Sequence, residues 1–195
     1  MKLYTHPGSC SSAAHISLAE SGLDFEIIKV DLKSDRKLPD GRHLNDVNPK
    51  GYVPALELDD GEYLTENVAI LQYIADQSPD SGLAPAYGTI ERYHLQSWLG
   101  YINSEVHKTI GAMFDPALPE EMKGPVLEKN GAQLSYIDGH LADKDFLMGD
   151  KFTVADAYLF ITLSWMPGFG VDFANYPNVA AYEARIAERE SVKHR

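Results

Sequence analysis

Residues 1–32 read MKLYTHPGSCSSAAHISLAESGLDFEIIKVDL, and the order of the elements in this stretch decides the class of the fold. MKLYT is short, apolar and β-prone. HPGS follows as a turn, with Pro7 and Gly8 as breakers. Over residues 11–21, SSAAHISLAES, apolar residues recur at Ala14, Ile16, Leu18 and Ala19, which predicts a helix that Gly22 ends. DFEIIKVDL, residues 24–32, reads as a second strand. Strand, turn, helix, strand is a βαβ unit, and such a crossover implies a parallel pair.

Working outward, residues 33–49 are polar and loop-like. YVPALEL and EYLTE flank DDG as two strands around a tight hairpin turn, and NVAILQYIAD follows as a helix with a continuous apolar face. QSPDSGLAPAYG, Gln77 to Gly88, is rich in Pro, Gly and Ser and reads as a linker. Everything beyond it is helical. From Ile90 to Met113 a single stripe runs through Leu95, Trp98, Leu99, Ile102, Val106, Ile110 and Met113. PVLEKNGAQLSYIDGHLAD, TVADAYLFITLSWM and NVAAYEARIAER are three further helices, the second apolar enough to be central and buried. The expected organisation is a small α/β domain over residues 1–77 and an all-helical domain over 88–195.

The chain has 195 residues, of which 44% are hydrophobic, enough for a real core without covalent staples. One cysteine excludes an internal disulfide and fits a reducing compartment. The formal charge of -12 argues against nucleic-acid or anionic-membrane partners, and an anionic small ligand would need local donors. MKLYTHPGSC holds no long apolar run, so no secretory signal is expected, and no window reaches the length of a membrane span. The expectation is a soluble, cytoplasmic protein.

The candidate chemistry centres on THPGSCSS, residues 5–12, which set Cys10 between a turn and a helix N-terminus. Free N–H groups and the helix dipole there favour a thiolate, with Ser9, Ser11 and Ser12 as added donors. An inert, buried cysteine fits the same local context. The absence of a second cysteine excludes a dithiol mechanism within one chain. A cis bond at Val53–Pro54 would present the Val53 backbone to a bound peptide, although frequency favours trans. Thr65, Glu66 or Asn67 could cap the following helix, or the helix start could hold an anion while Glu66 takes an ammonium. His107 shares a small polar face with Gly100, Asn103 and Ser104 at helical spacing. It could serve as a proton donor or thiolate partner, or face solvent beside Lys108. Thr153 and Asp156 match a capping box, which assigns Asp156 to folding, with a cap worth about 0.5–2 kcal/mol. His6, His15, His43, His94, His140 and His194 show no metal-ligand spacing, and no metal site is expected. No nucleotide or nucleophile-elbow motif is present.

Taken together, KLYTHPGSCS, NPKGYVPALELDDGEYLTENVAILQYIAD, ERYHLQSWLGYINSEVHK and FTVADAYLF resemble the bacterial beta-class glutathione transferases over nearly the whole chain. The resemblance implies a thioredoxin-like N-terminal domain followed by an all-α domain. It implies an enzyme that conjugates reduced glutathione, as co-substrate, to hydrophobic electrophiles, with Cys10-dependent thiol–disulfide exchange or peroxidase activity beside it. Cys10 would be the active-site cysteine. Pro54 would be a cis-proline, with the Val53 backbone pairing to the cysteinyl unit. Glu66 and Asn67 would hold the γ-glutamyl end. Ser104, Glu105 and His107 would line the site from the helical domain, with His107 near the Cys10 sulfur. Arg36 or Lys37 would supply a basic contact, residues 112–118 would help shape the electrophile pocket, and the protein would be a homodimer. Asn67 stands where the family usually has Ser or Gly, and Gly100 where members often carry Asn. The alternatives are a non-catalytic binder of hydrophobic ligands, or a specialised glutathione-dependent isomerase or dehalogenase.

Overall fold

Leu3 and Tyr4 are buried in β1 (Lys2–Thr5), which pairs in parallel with β2 (Glu26–Lys29), Leu3 opposite Ile27. These features belong to a computed structural model that describes residues 1–32 and 35–193. Lys33 of the expected loop and His194 lie outside the described residues. Helix α1 (Ser12–Ser21) makes the crossover, and Gly22 ends it at φ 72°, a left-handed conformation that glycine adopts freely. Within the expected loop lies a short helix, α2 (Leu44–Val47). Its cap is His43, whose Nδ1 accepts from the Asn45 N–H at 3.1 Å while its own N–H donates to Asp46 at 2.8 Å. A histidine in that role falls outside the Ser/Thr pattern that marks helix starts in sequence.

Strands β3 (Ala55–Glu57) and β4 (Tyr63–Thr65) form the expected hairpin, and the sheet order is β2-β1-β3-β4. The Val53–Pro54 bond is cis. Helix α3 (Asn67–Gln77) packs beside α1. A separate apolar cluster includes Tyr4, Val30, Leu38, Leu44, Val47, Val53 and Ala55.

After the linker come α4 (Ile90–Tyr101), a π-helical turn over Ile102–His107, and α5 (Lys108–Gly111). The single helix expected here is thus interrupted by a stretch with more residues per turn. Helix α6 (Glu120–His140) begins ahead of the expected PVLEKN start and runs through Pro125. Helix α7 (Val154–Trp165) is central, and every residue from Val154 to Leu163 is buried. Helices α8 (Pro177–Ala187) and α9 (Glu190–Lys193) follow.

One apolar core runs through both parts of the chain, from Leu3, Ile16 and Ile70 to Leu99, Leu159 and Ile186. Polar clamps reinforce it. Buried Arg92 of α4 donates to both oxygens of Asp76 on α3, at 2.8 and 2.9 Å. Arg189 grips Glu20 of α1 through two bonds, at 2.8 and 2.7 Å.

An apolar helix in the core must still satisfy its first-turn donors. Asp156 does more than the capping box required. Its carboxylate accepts from the Thr153 N–H and hydroxyl and from the Leu147 N–H, each at 2.8 Å, and from the Tyr182 hydroxyl at 3.0 Å. Burial pushes this carboxyl above its ordinary range, and the four donors oppose that push. Asp156→Ala strands two buried amides at about 1–3 kcal/mol each. The expected loss in urea-unfolding free energy is therefore about 2–6 kcal/mol, more than a cap alone. An unchanged midpoint at constant slope would contradict this account.

Candidate functional site

A cavity of about 270 Å³ opens where the sheet meets the helical part. From the first part it is lined by Cys10, Asn48, Tyr52, Val53, Pro54, Glu66 and Asn67, and from the second by Asn103, His107, Lys108 and Tyr158. The turn before α1 delivers Cys10, whose Sγ donates to the Val53 carbonyl at 3.5 Å. Asn48 shapes the opposite wall: its Nδ2 donates to the Tyr52 carbonyl at 2.8 Å and its Oδ1 accepts from the Lys50 N–H at 3.1 Å. Glu66 enters α3 at φ 74°, a conformation that costs a non-glycine residue about 1–3 kcal/mol and tends to persist at binding sites.

No side chain caps α3. This corrects the capping reading of Thr65, Glu66 and Asn67. The Glu66 carboxylate accepts from Lys50 Nζ at 2.6 Å, and the Thr65 hydroxyl accepts from the same ammonium at 3.2 Å. Asn67 turns the other way. Its Nδ2 donates to the Cys10 carbonyl at 2.8 Å, tying the cysteine turn to α3, while its buried Oδ1 has no partner.

In the helical part, His107 Nδ1 lies 2.7 Å from the Tyr158 hydroxyl, which donates to Asn103 Oδ1 at 3.0 Å. The His107 ring also packs against Trp165, centroid to centroid at 5.1 Å, and Phe114 and Phe169 extend this aromatic surface. The Trp165 indole N–H donates to the Gly8 carbonyl at 2.8 Å, joining the end of α7 to the cysteine turn.

The π-turn explains which expected residues reach the cavity. At about 100° per residue, an α-helix would place Lys108 roughly 140° away from Asn103. The smaller rotation per residue in the π-turn brings Asn103, His107 and Lys108 to one wall. Ser104 and Gly100 are exposed and outside it, and Glu105 pairs with Lys129 at 2.9 Å, also outside the lining. Arg36 donates to the Gly51 carbonyl at 2.9 Å and Lys37 pairs with Asp35 at 2.7 Å, so neither supplies the cavity's cation. That cation is Lys108. Helical spacing grouped His107 with Gly100, Asn103 and Ser104 and gave Lys108 no numbered role in the site, because the periodicity assumed was α-helical throughout. Tyr158 was missed because it sits in an apolar run, although a phenol in such a run calls for a polar partner.

The electrostatics also correct an expectation. Burial pushes the Cys10 thiol up to about 11, outweighing the Cys10 and Ser11 backbone N–H groups, which pull it down; Glu66 adds to the rise and Lys108 opposes it. The hydroxyls expected to help are engaged elsewhere: Ser9 and Ser11 bond each other at 2.6 Å, and Ser12 accepts from the Gly8 N–H at 3.2 Å. Burial, and then Lys108, lowers His107 to about 4, so it is neutral near pH 7. It can accept a proton there, but it is no cationic partner for a thiolate. Among the described residues, no group of three or more His, Cys, Asp and Glu could hold a metal ion.

The model described as "Glutathione S-transferase, N-terminal domain" matches residues 1–76, and "Glutathione S-transferase, C-terminal domain" matches residues 98–190. The chain is 45% identical over 193 residues to glutathione S-transferase GstA of Escherichia coli O157:H7, covering 99% of this chain and 96% of that protein. It is similar to the solved structure of a sphingomonad glutathione S-transferase complexed with glutathione, at 49% identity and a TM-score of 0.95, covering 100% of this chain and 96% of that one. It is also similar to the bacterial beta-class glutathione S-transferase of Sphingomonas chungbukensis, at 48% identity and a TM-score of 0.94, with coverage of 100% and 96%.

A thiol at about 11 gives a definite pH profile. Alkylation of Cys10 by iodoacetamide in the ligand-free protein should rise about tenfold per pH unit from 7 to 9, because only the thiolate reacts. Mass spectrometry of quenched samples reads the rate, and a plateau near neutrality would show a poised thiolate instead.

Proposed function

The chain belongs to the glutathione S-transferase family, and from that premise we propose that it conjugates reduced glutathione to hydrophobic electrophiles with the tripeptide seated in the Cys10 cavity. What carries the reading is the convergence on one cavity of Cys10, Val53, Pro54, Glu66 and Asn67 with Asn103, His107 and Lys108. The Val53 backbone beside the cis bond pairs with the cysteinyl unit. Glu66 takes the γ-glutamyl ammonium in place of Lys50, and the uncapped first turn of α3 receives its carboxylate. Asn67 supports this end through the Cys10 carbonyl. Ser104 and Glu105 stand beside the cavity wall and serve the site less directly than His107. Lys108 supplies positive charge for the thiolate that glutathione must form.

Residues 1–77 act as the glutathione-binding domain and 88–195 as the domain that presents the electrophile. Phe114, Trp165 and Phe169 form an apolar surface beside His107 for that electrophile. In conjugation the glutathione thiol loses its proton, the sulfur's electron pair forms the bond to carbon, and the leaving group departs with its own pair. Thiol–disulfide exchange through Cys10 is a side activity, with a second glutathione resolving the mixed disulfide. Only the thiolate attacks a disulfide, so a Cys10 thiol pushed up to about 11 slows exchange in the ligand-free site at neutral pH.

We also infer a homodimer. Ile90 and Tyr93 on α4 are exposed, and exposed Tyr136 on α6 lines a groove of about 680 Å³ with Trp98, Tyr101 and His140. Such a surface fits burial between two copies. No helix among the described residues is long and apolar enough to cross a membrane. A free thiol and a thiol co-substrate fit the cytoplasm.

Steady-state kinetics with glutathione and a chlorodinitrobenzene test the reading. Losing a charge-assisted bond costs about 1.5–3 kcal/mol, so Glu66→Gln should raise the glutathione KM by roughly tenfold or more with little change in kcat. Cys10→Ala should abolish exchange with a glutathione disulfide and spare much of the conjugation. An unchanged KM in the first variant would remove the γ-glutamyl assignment. Equal loss of both activities in the second would make Cys10 essential to both.

A further inference from the structure

The phenol of Tyr158 has one proton to give. It lies 2.7 Å from His107 Nδ1 and donates to Asn103 Oδ1 at 3.0 Å. With that proton committed to Asn103, the contact with His107 requires Nδ1–H as the donor and the phenol oxygen as the acceptor. A neutral imidazole carries only one N–H, so Nε2 then holds a lone pair. The parts are rigidly placed. Tyr158 is fully buried on α7, and Asn103 and His107 belong to the π-turn that packs against that helix. The three side chains also line the cavity together.

We propose that Tyr158 is a positioning residue which, through its bond to Asn103, holds His107 in the Nδ1–H tautomer and leaves Nε2 as the ring's acceptor for a thiol proton. The proposal rests on the glutathione-site reading above and deepens it. In the step it serves, the sulfur–hydrogen bond of glutathione breaks and the proton joins Nε2. The electron pair stays on sulfur and then forms the bond to the electrophile's carbon, from which the leaving group departs with its pair. The imidazolium keeps Nδ1–H on Tyr158 and returns the Nε2 proton to solvent. This role gives the buried phenol its partners: unpartnered, it would be costly to bury.

Nitrogen NMR of protein labelled at histidine tests the assignment directly, with the His107 signals identified by their loss in His107→Gln. Near pH 7 the wild-type ring should show a protonated Nδ1 and a bare Nε2. Tyr158→Phe should give a mixture of tautomers and lower kcat for conjugation by about five- to tenfold, with the glutathione KM within about twofold. Asn103→Ala frees the phenol proton for Nδ1, and should move the ring toward the Nε2–H form. A wild-type ring protonated at Nε2 would overturn the proposal, since it means that the network runs in reverse. So would an unchanged tautomer and unchanged kcat in Tyr158→Phe. If that variant does not fold, the wild-type and Asn103→Ala spectra decide. The failure of the functional reading looks different: Glu66→Gln leaves the glutathione KM unmoved while the His107 tautomer stands as described.

Discussion

The burial of α7 is the constraint on which the rest of the structure depends. A helix with every residue from Val154 to Leu163 inside the protein has no water to satisfy its first turn. Its Val154 N–H donates to the Leu83 carbonyl and its Asp156 and Ala157 N–H groups to the Thr153 carbonyl, while the Asp156 carboxylate fixes the chain around the helix start with four hydrogen bonds, from Thr153 and the Leu147 backbone on one side and from Tyr182 of α8 on the other. Once α7 is held, it places three parts of the site. It packs against α1, at whose start Cys10 sits, and against the π-turn that carries Asn103 and His107. At its end, Trp165 bonds the turn before Cys10. A residue with no chemical part therefore sets the geometry of those that have one.

Cys10 shows two familiar effects in competition. A helix N-terminus lowers a thiol's pKa through nearby N–H groups, and the Cys10 and Ser11 amides do pull in that direction. Protein surrounds the sulfur, however, and withdrawing a charge from water costs more than those amides return. The serines that flank the cysteine spend their hydroxyls on one another and on the backbone of the turn. The result in the ligand-free protein is a neutral thiol donating to the Val53 carbonyl. Proximity to a helix start decides the reactivity of a cysteine only when desolvation is small.

Much of this fold was legible in the sequence because the relevant signals are local. The βαβ start, the DDG hairpin, the Pro/Gly-rich linker and the apolar α7 each rest on periodicity or on breakers within a short window. The capping pair of Thr153 and Asp156 was readable for the same reason. What escaped was non-local or non-standard. The histidine cap of α2 has no common motif. The π-turn changes the rotation per residue without leaving a compositional mark, so the helical spacing grouped His107 with Ser104, which lies outside the cavity lining, and not with Lys108, which is part of it. Tyr158 looked like core because its partners, Asn103 and His107, are some fifty residues earlier in the chain, at separations of 55 and 51. The resemblance to a family placed His107 at the site where periodicity alone left it facing solvent or cleft.

The core is continuous from the sheet to α8, with Arg92–Asp76 and Arg189–Glu20 bridging the two parts of the chain. Neither part can then lose its packing without exposing apolar surface of the other, so they unfold together. A cavity with one wall from each part reports on that shared transition. A ligand that occupies it only in the folded state stabilises all of the chain by mass action, about 2.7 kcal/mol at a hundred times its dissociation constant. In a cell rich in such a ligand, the concentration of a small thiol becomes a determinant of how long each copy of the protein survives.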